Sequence, residues 1–142
     1  MEQTFKLSML SPEKPMADLN AALIEAPGIN GQLGILPGHA TFVSELKSGV
    51  LKIKMFDSGL DEAHYFVAGG FLQVSDNHVK VMAEVIETSD QVDRKRAEES
   101  EKRALERLAD TSNSDININR ALLSLERAKA RKALLVLTTK RQ

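Results

Sequence analysis

Arginines at helical spacing are the residues of this 142-residue chain best placed to do chemistry. In the run Val92-Asp93-Arg94-Lys95-Arg96-Ala97, Asp93 and Ala97 share a helix face with Arg96, and Arg103 follows one heptad later. Farther along, Arg127 and Arg131 are also four residues apart. Folding the two runs into a hairpin would bring three or four guanidinium groups together. A guanidinium is planar, always charged and suited to bidentate binding of phosphate. A merely solvated basic face explains the same residues, because both runs are rich in arginine.

Other chemistries find little support. His39, His64 and His78 have no second ligand at metal spacing, so they read as structural. Carboxylates lie on turns and helix faces rather than among apolar residues, which gives no acid and base pair with separated pKa values. There is no phosphate-loop motif and no nucleophile elbow. Cysteine is absent, which excludes disulfide and thiolate chemistry. These residues point to a protein that is not an enzyme.

The elements that must position the arginines follow from period and composition. Up to residue 88 the chain alternates apolar and polar residues in short stretches: Phe5, Leu7 and Met9, then Met16 to Ala26, Phe42 to Leu46, Val50 to Phe56, His64 to Ala68, Phe71 to Val74 and His78 to Ile86. Lys47-Ser48-Gly49 reads as a hairpin turn, as do Asp57-Ser58-Gly59 and Ser75-Asp76-Asn77, and Gly69-Gly70 as a bulge or close backbone packing. Many short strands at regular spacing predict a β-sandwich.

From Ser89 and Asp90, read as N-caps, there is no glycine or proline to the end of the chain. One helix is expected over 91–109, with Val92, Ala97, Ala104, Leu105 and Leu108 apolar. A second, capped by Ser114 or Asp115, runs to about Leu137 with Ile118, Ala121, Leu122, Leu125, Ala128, Leu134 and Leu135 apolar. The fold class is therefore α+β, an antiparallel sandwich over 1–88 followed by an antiparallel helical hairpin over 89–142. A seam of mostly alanine buries little area, so the hairpin should depend on docking for its stability. Charge divides in the same way: residues 1–89 carry 6 basic and 11 acidic residues, and 90–142 carry 13 and 9.

The densest local signal is Gly31-Gln-Leu-Gly-Ile-Leu-Pro-Gly-His-Ala40, read as a shaped loop of tight turns pinned by Leu33, Ile35 and Leu36. With Phe42-Val43 and Leu46-Lys47-Ser48-Gly49-Val50-Leu51 behind it, this stretch closely resembles the epsilon subunits of F-type ATP synthases, and the resemblance covers essentially the whole chain. Gln32 departs from it where an acidic residue is common, and Thr41 where a proline is common.

The resemblance implies a non-catalytic rotor subunit of the central stalk. Its sandwich would join the gamma subunit to the c-ring, with Gly31, Gln32, Leu33, Gly34 and His39 at or near the ring contact. Val92 to Ala97 is similar to the motif by which some bacterial members bind ATP, which implies Glu87, Val92, Asp93, Arg96, Ala97, Arg103, Arg127 and Arg131 as ATP ligands. In the family the helices can also leave the sandwich and meet an acidic segment of the catalytic beta subunit, which slows hydrolysis. Arg127, Lys129, Arg131 and Lys132, with Lys140 and Arg141, are the cations for that encounter. No cofactor is required, and ATP would be a regulatory ligand. Partners would be gamma, the c-ring and the alpha/beta head, without nucleic acid.

No run reaches the length of about 20 apolar residues that a membrane helix requires, and the N-terminus lacks signal-peptide character. The expected location is peripheral, on the cytoplasmic face of the bacterial inner membrane, with membrane contact only through the complex. The alternative is a free-standing module whose basic helices grip nucleic acid or an acidic protein. The acidic sandwich and low aromatic content count against it.

Overall fold

The structure is a computed structural model that describes residues 3–13, 15–55, 62–110 and 115–140, without side-chain detail for 15–17, 115–116 and 138–140. The expected turn at 57–59, a cap at Ser114, Arg141 and the side chain of Lys140 lie outside the described residues. Among the described residues, ten strands form two five-stranded sheets. The first runs β2(Pro15–Ala21), β1(Phe5–Leu10), β9(His78–Met82), β8(Phe71–Ser75), β5(Phe42–Glu45). The second runs β10(Val85–Glu87), β7(Glu62–Ala68), β6(Gly49–Lys54), β3(Leu23–Gly28), β4(Gly31–Ile35). Every pairing is antiparallel except β1 with β9.

Alternation sends one side chain in two to the inner faces. Phe5, Leu7, Met9, Ile24, Ile35, Leu51, Ile53, Leu72, Val74, Val79 and Val81 meet there as one buried core. Helices α1(Arg94–Ala109) and α2(Asp115–Lys140) follow, and α2 lies on the outer face of the second sheet, over β6 and β7.

Three local expectations are corrected. Gly31 to Ile35 is not loop but edge strand, paired in register with Ile24 to Gly28. Its aliphatics Leu33 and Ile35 turn inward while Gln32 and Gly34 stay exposed, a period of two that the glycines obscure. Lys47-Ser48-Gly49 is not a hairpin, because β5 pairs with β8 in one sheet and β6 with β3 and β7 in the other. Gly49 is needed for closeness, since a Cβ there would stand 2.6 Å from Pro27 Cβ. The run from His78 to Ile86 is two strands, with β10 crossing to pair with β7. Gly70 fits the close-packing reading: its φ is +118°, and a Cβ would meet the Met82 carbonyl at 1.9 Å.

Candidate functional site

The helical hairpin is entered through a 3-10 turn, Ser89–Gln91, at whose start Thr88 N–H donates to Gln91 Oε1 at 2.9 Å. A hydrogen bond from the Thr88 side chain, helped by Asp90's own backbone, holds the Asp90 carboxyl below its usual pKa. Neither Ser89 nor Asp90 caps the long helix. Asp93 does, its Oδ1 accepting from Arg96 N–H at 3.1 Å. The helix therefore starts at Arg94 rather than at residue 91.

Each helix buries alanines at heptad spacing, Ala97 and Ala104 on α1 and Ala121 and Ala128 on α2. Leu105 and Leu122, expected on the apolar faces, are exposed, because a two-helix layer on one sheet leaves its outer side uncovered. The contact with the sandwich is a small cluster of Phe66, Ala68, Val92 and Leu134, flanked by Val50, Val85 and Leu135. Beside it the contact turns ionic. Arg131 Nε donates to Glu87 Oε1 at 2.8 Å, and its guanidinium carbon lies 4.4 Å from the centre of the Phe66 ring. Arg127 reaches Glu84 at 3.6 Å. Its Nε is buried with no hydrogen-bond partner among the described residues.

Three clefts of about 310, 330 and 330 Å³ meet at Arg131, which lines all of them. Glu87, Val92, Asp93, Arg96, Ala97 and Arg103 line the first, and Arg103 and Arg127 line the third. All eight residues that the resemblance assigns to ATP thus line the groove formed by the first and third clefts, which share Ser100, Arg103 and Arg131. Each cleft has the volume of a small-ligand site, and arginines from both helices line the third. Gln91, Ser100 and Arg107 line these clefts as well and were missed. Ser100 and Arg107 were within reach of the helical period, which places 96, 100, 103 and 107 on one face.

Of the cations assigned to the beta subunit, Arg127 and Arg131 pair with Glu84 and Glu87 of the sandwich and Lys132 pairs with Glu101 of α1. Lys129 is exposed. The residues assigned to the ring are divided. Gly31 and Gln32 adjoin the Ile29-Asn30 turn at one end of β4, whereas His39 lies beyond the other end with its ring against Phe42, centroids 5.6 Å apart. Five strand residues, about 16 Å, separate the two ends. His78 Nε2 lies 2.8 Å from Ser8 Oγ, which donates to Asp18 at 2.7 Å, and His64 faces Glu62 at 3.3 Å.

Across the outer face of the first sheet, Leu10, Met82 and Phe71 stand side by side in register. Val43 is two residues from Glu45, the partner of Phe71, on the same face. These four apolar side chains are 37% to 63% exposed on one face, three of them in a row that ends at Glu45 and Val43 two residues off it.

Known proteins share this architecture. Residues 4–89 match the family model described as the ATP synthase Delta/Epsilon chain, beta-sandwich domain. The chain is 39% identical over 131 residues to the ATP synthase epsilon chain of Desulfitobacterium hafniense, covering 92% of this chain and 96% of that one. Against the epsilon chain of Syntrophomonas wolfei it is 38% identical over 130 residues, covering 92% and 93%. A chain in the cryo-EM structure of the Euglena gracilis mitochondrial ATP synthase has the same fold, with a TM-score of 0.82 at 20% identity over 95% of this chain and 83% of that one. A chain of the Tetrahymena thermophila mitochondrial ATP synthase central stalk and c-ring matches with a TM-score of 0.64 at 16% identity, over 94% of this chain and 98% of that one. The sandwich, the hairpin and identity along nearly the full length of the bacterial relatives agree: the chain belongs to the ATP synthase epsilon-chain family and is a non-catalytic subunit of that enzyme.

Proposed function

We propose that the chain is a rotor subunit of the central stalk, in which the sandwich joins the gamma shaft to the c-ring and the hairpin is a regulatory arm that ATP holds folded. The observation that carries the arm is the nature of its seat. Four buried residues and a set of arginine contacts hold it, where a continuous apolar seam would fuse it to the sheet. Phosphate oxygens in the groove would join guanidinium groups of α1, Arg96 and Arg103, to those of α2, Arg127 and Arg131. ATP then favours the folded arm, and extension of the arm must weaken ATP binding by the same factor.

The braking form draws on the same cations. Arg127, Arg131 and Lys132 each have a carboxylate partner in the folded arm. An arm that leaves the sandwich frees Arg127 and Arg131 from Glu84 and Glu87, and parting of the two helices frees Lys132 from Glu101, for an acidic segment of the beta subunit. Opposite charge speeds that encounter without fixing its geometry. At the cell this subunit would sit on the cytoplasmic face of the bacterial inner membrane, held there by the complex. No described helix is long and apolar enough to cross a membrane.

For the shaft, the apolar group Leu10, Met82, Phe71 and Val43 is the face of suitable character. Phe71→Asp should abolish assembly with gamma while leaving the isolated chain folded, since Phe71 is exposed. For the ring, the exposed Gly31 to Gly34 edge is the nearer candidate, and His39 falls on the far side of β4. A Cβ at Gly34 would meet nothing within 4 Å and its φ is ordinary, so the fold tolerates a side chain there. Gln32→Trp and Gly34→Trp are expected to cut ATP-driven proton pumping in membranes while leaving hydrolysis by the detached head intact. Unaltered pumping in both variants would remove this edge from the ring contact.

A further inference from the structure

The third cleft differs from the first in the charge of its walls. Arg103 and Arg107 of α1 and Arg127 and Arg131 of α2 line it together with Ser100 and Ser124, and among the described residues no carboxylate does. The first cleft, by contrast, sets Glu87 and Asp93 against Arg96, Arg103 and Arg131. Arginines four apart lie one above the other on a helix, about 6 Å apart along its axis, and like charges at that spacing repel. Two such pairs share one space of about 330 Å³. Ala104 is its one apolar residue among those described, so the cleft has little surface for a base.

Its donors are engaged but not exhausted. Arg131 meets Glu87 through Nε at 2.8 Å, and the two terminal nitrogens of its fork take no part in that bond. Arg127 meets Glu84 through one terminal nitrogen at 3.6 Å, and its buried Nε has no hydrogen-bond partner among the described residues. A buried N–H without an acceptor is destabilising, and a bound oxygen would remove that cost. On α1, Arg103 Nη2 donates to Ser100 Oγ at 3.4 Å, within a turn of its own helix. Arg107 and Ser124 belong to the same wall yet lie outside the residues that the ATP motif implies. The cleft therefore reaches beyond the set of nucleotide ligands.

We infer that this cleft is a subsite for condensed phosphate, with Arg107 and Ser124 among its ligands, and that an inorganic phosphate chain occupies it without any nucleoside. Two levels of guanidinium on each helix suit a chain of linked phosphates better than a single one, because each level can take oxygens of a different phosphate group. Joining Arg103 and Arg107 to Arg127 and Arg131 also relieves the repulsion among four like charges, so the ligand would hold the hairpin closed. Neither base nor ribose is needed for this, and the subsite stands apart from the nucleotide reading.

The test titrates inorganic tripolyphosphate into the full chain, with ATP titrated separately and amide exchange of both helices followed. Tripolyphosphate should bind, and at about a hundred times its Kd it should slow exchange in α1 and α2 by as much as about a hundredfold. Arg107→Gln should weaken it about tenfold or more, the order of one charge-assisted hydrogen bond. Ser124→Ala removes no charge and suits a helix, so a loss of about fivefold reports a directed contact. Lys102→Gln removes a charge from an exposed position of α1 that does not line the cleft, and should change affinity by less than about twofold. Absence of tripolyphosphate binding overturns the subsite. Equal losses in Arg107→Gln and Lys102→Gln, or unchanged affinity in Ser124→Ala, overturn it as well, since both mean diffuse attraction to a basic surface. Citrate that binds as tightly at the same ionic strength overturns the phosphate class. Binding that leaves exchange unchanged overturns the bridge between the helices. If tripolyphosphate binds and ATP does not, the nucleotide reading falls while the subsite stands; ATP binding alone removes the subsite and leaves that reading.

Discussion

Arg131 is engaged on two sides before any ligand arrives, by the Glu87 carboxylate at 2.8 Å and by the face of Phe66 at 4.4 Å. Both carboxylate and guanidinium are less than a third exposed, so the pair is worth more than a surface ion pair, about 1 kcal/mol or somewhat above. Glu87→Gln should therefore loosen the arm in the absence of nucleotide, read as faster amide exchange in α2 with β9 unchanged. Equal exchange in both proteins would show that the pair does not hold the arm. Arg131→Lys keeps charge near Glu87 but loses the planar fork, and should lower ATP affinity at least tenfold by titration. At this scale the sequence was informative about type and spacing, since Asp93, Arg96, Arg103, Arg127 and Arg131 could all be named. Phe66 could be placed on an outer face by alternation, but nothing in the sequence states that an arginine 65 residues later lies on its ring. That contact exists only through the fold.

Among the elements, glycines and alanines carry the constraints. At Gly70 a Cβ would meet backbone on β9 at 1.9 Å, and φ is +118°. Gly70→Ala is expected to destabilise the sandwich by about 3 kcal/mol or more, as a lower denaturation midpoint. Gly34→Ala, with open space and ordinary φ, should leave the midpoint within about 0.5 kcal/mol of the original. In the arm, Ala128 is 1% exposed, and Ala128→Leu should force the helices apart at a cost of about 1–3 kcal/mol. The expected signature is loss of helical signal at a temperature where the sheets persist. Strand existence was largely legible from alternation, and the alanine seam from composition. Which sheet a strand joins was not. Lys47-Ser48-Gly49 has hairpin composition, yet long-range pairing sends β5 and β6 to opposite sheets, and no local signal encodes that choice.

For the whole molecule, one closed core of two sheets and a separate minor cluster beneath the arm divide stability unevenly. Local opening is cheapest where few buried apolar contacts hold an element, and the hairpin fits that description. Deleting residues 90–142 should leave assembly of the enzyme intact and raise hydrolysis by the isolated head. Unchanged hydrolysis in nucleotide-depleted and synthesis-poised conditions alike would mean that this arm is no brake. The most direct measurement is residue-resolved amide exchange of the purified chain with and without ATP. A movable arm on a rigid platform predicts that α1 and α2 exchange about a hundredfold faster than β1 and β9 without nucleotide and are slowed by ATP, while the strands do not change. Helices and strands that exchange together at one global rate, with no response to ATP, would contradict it.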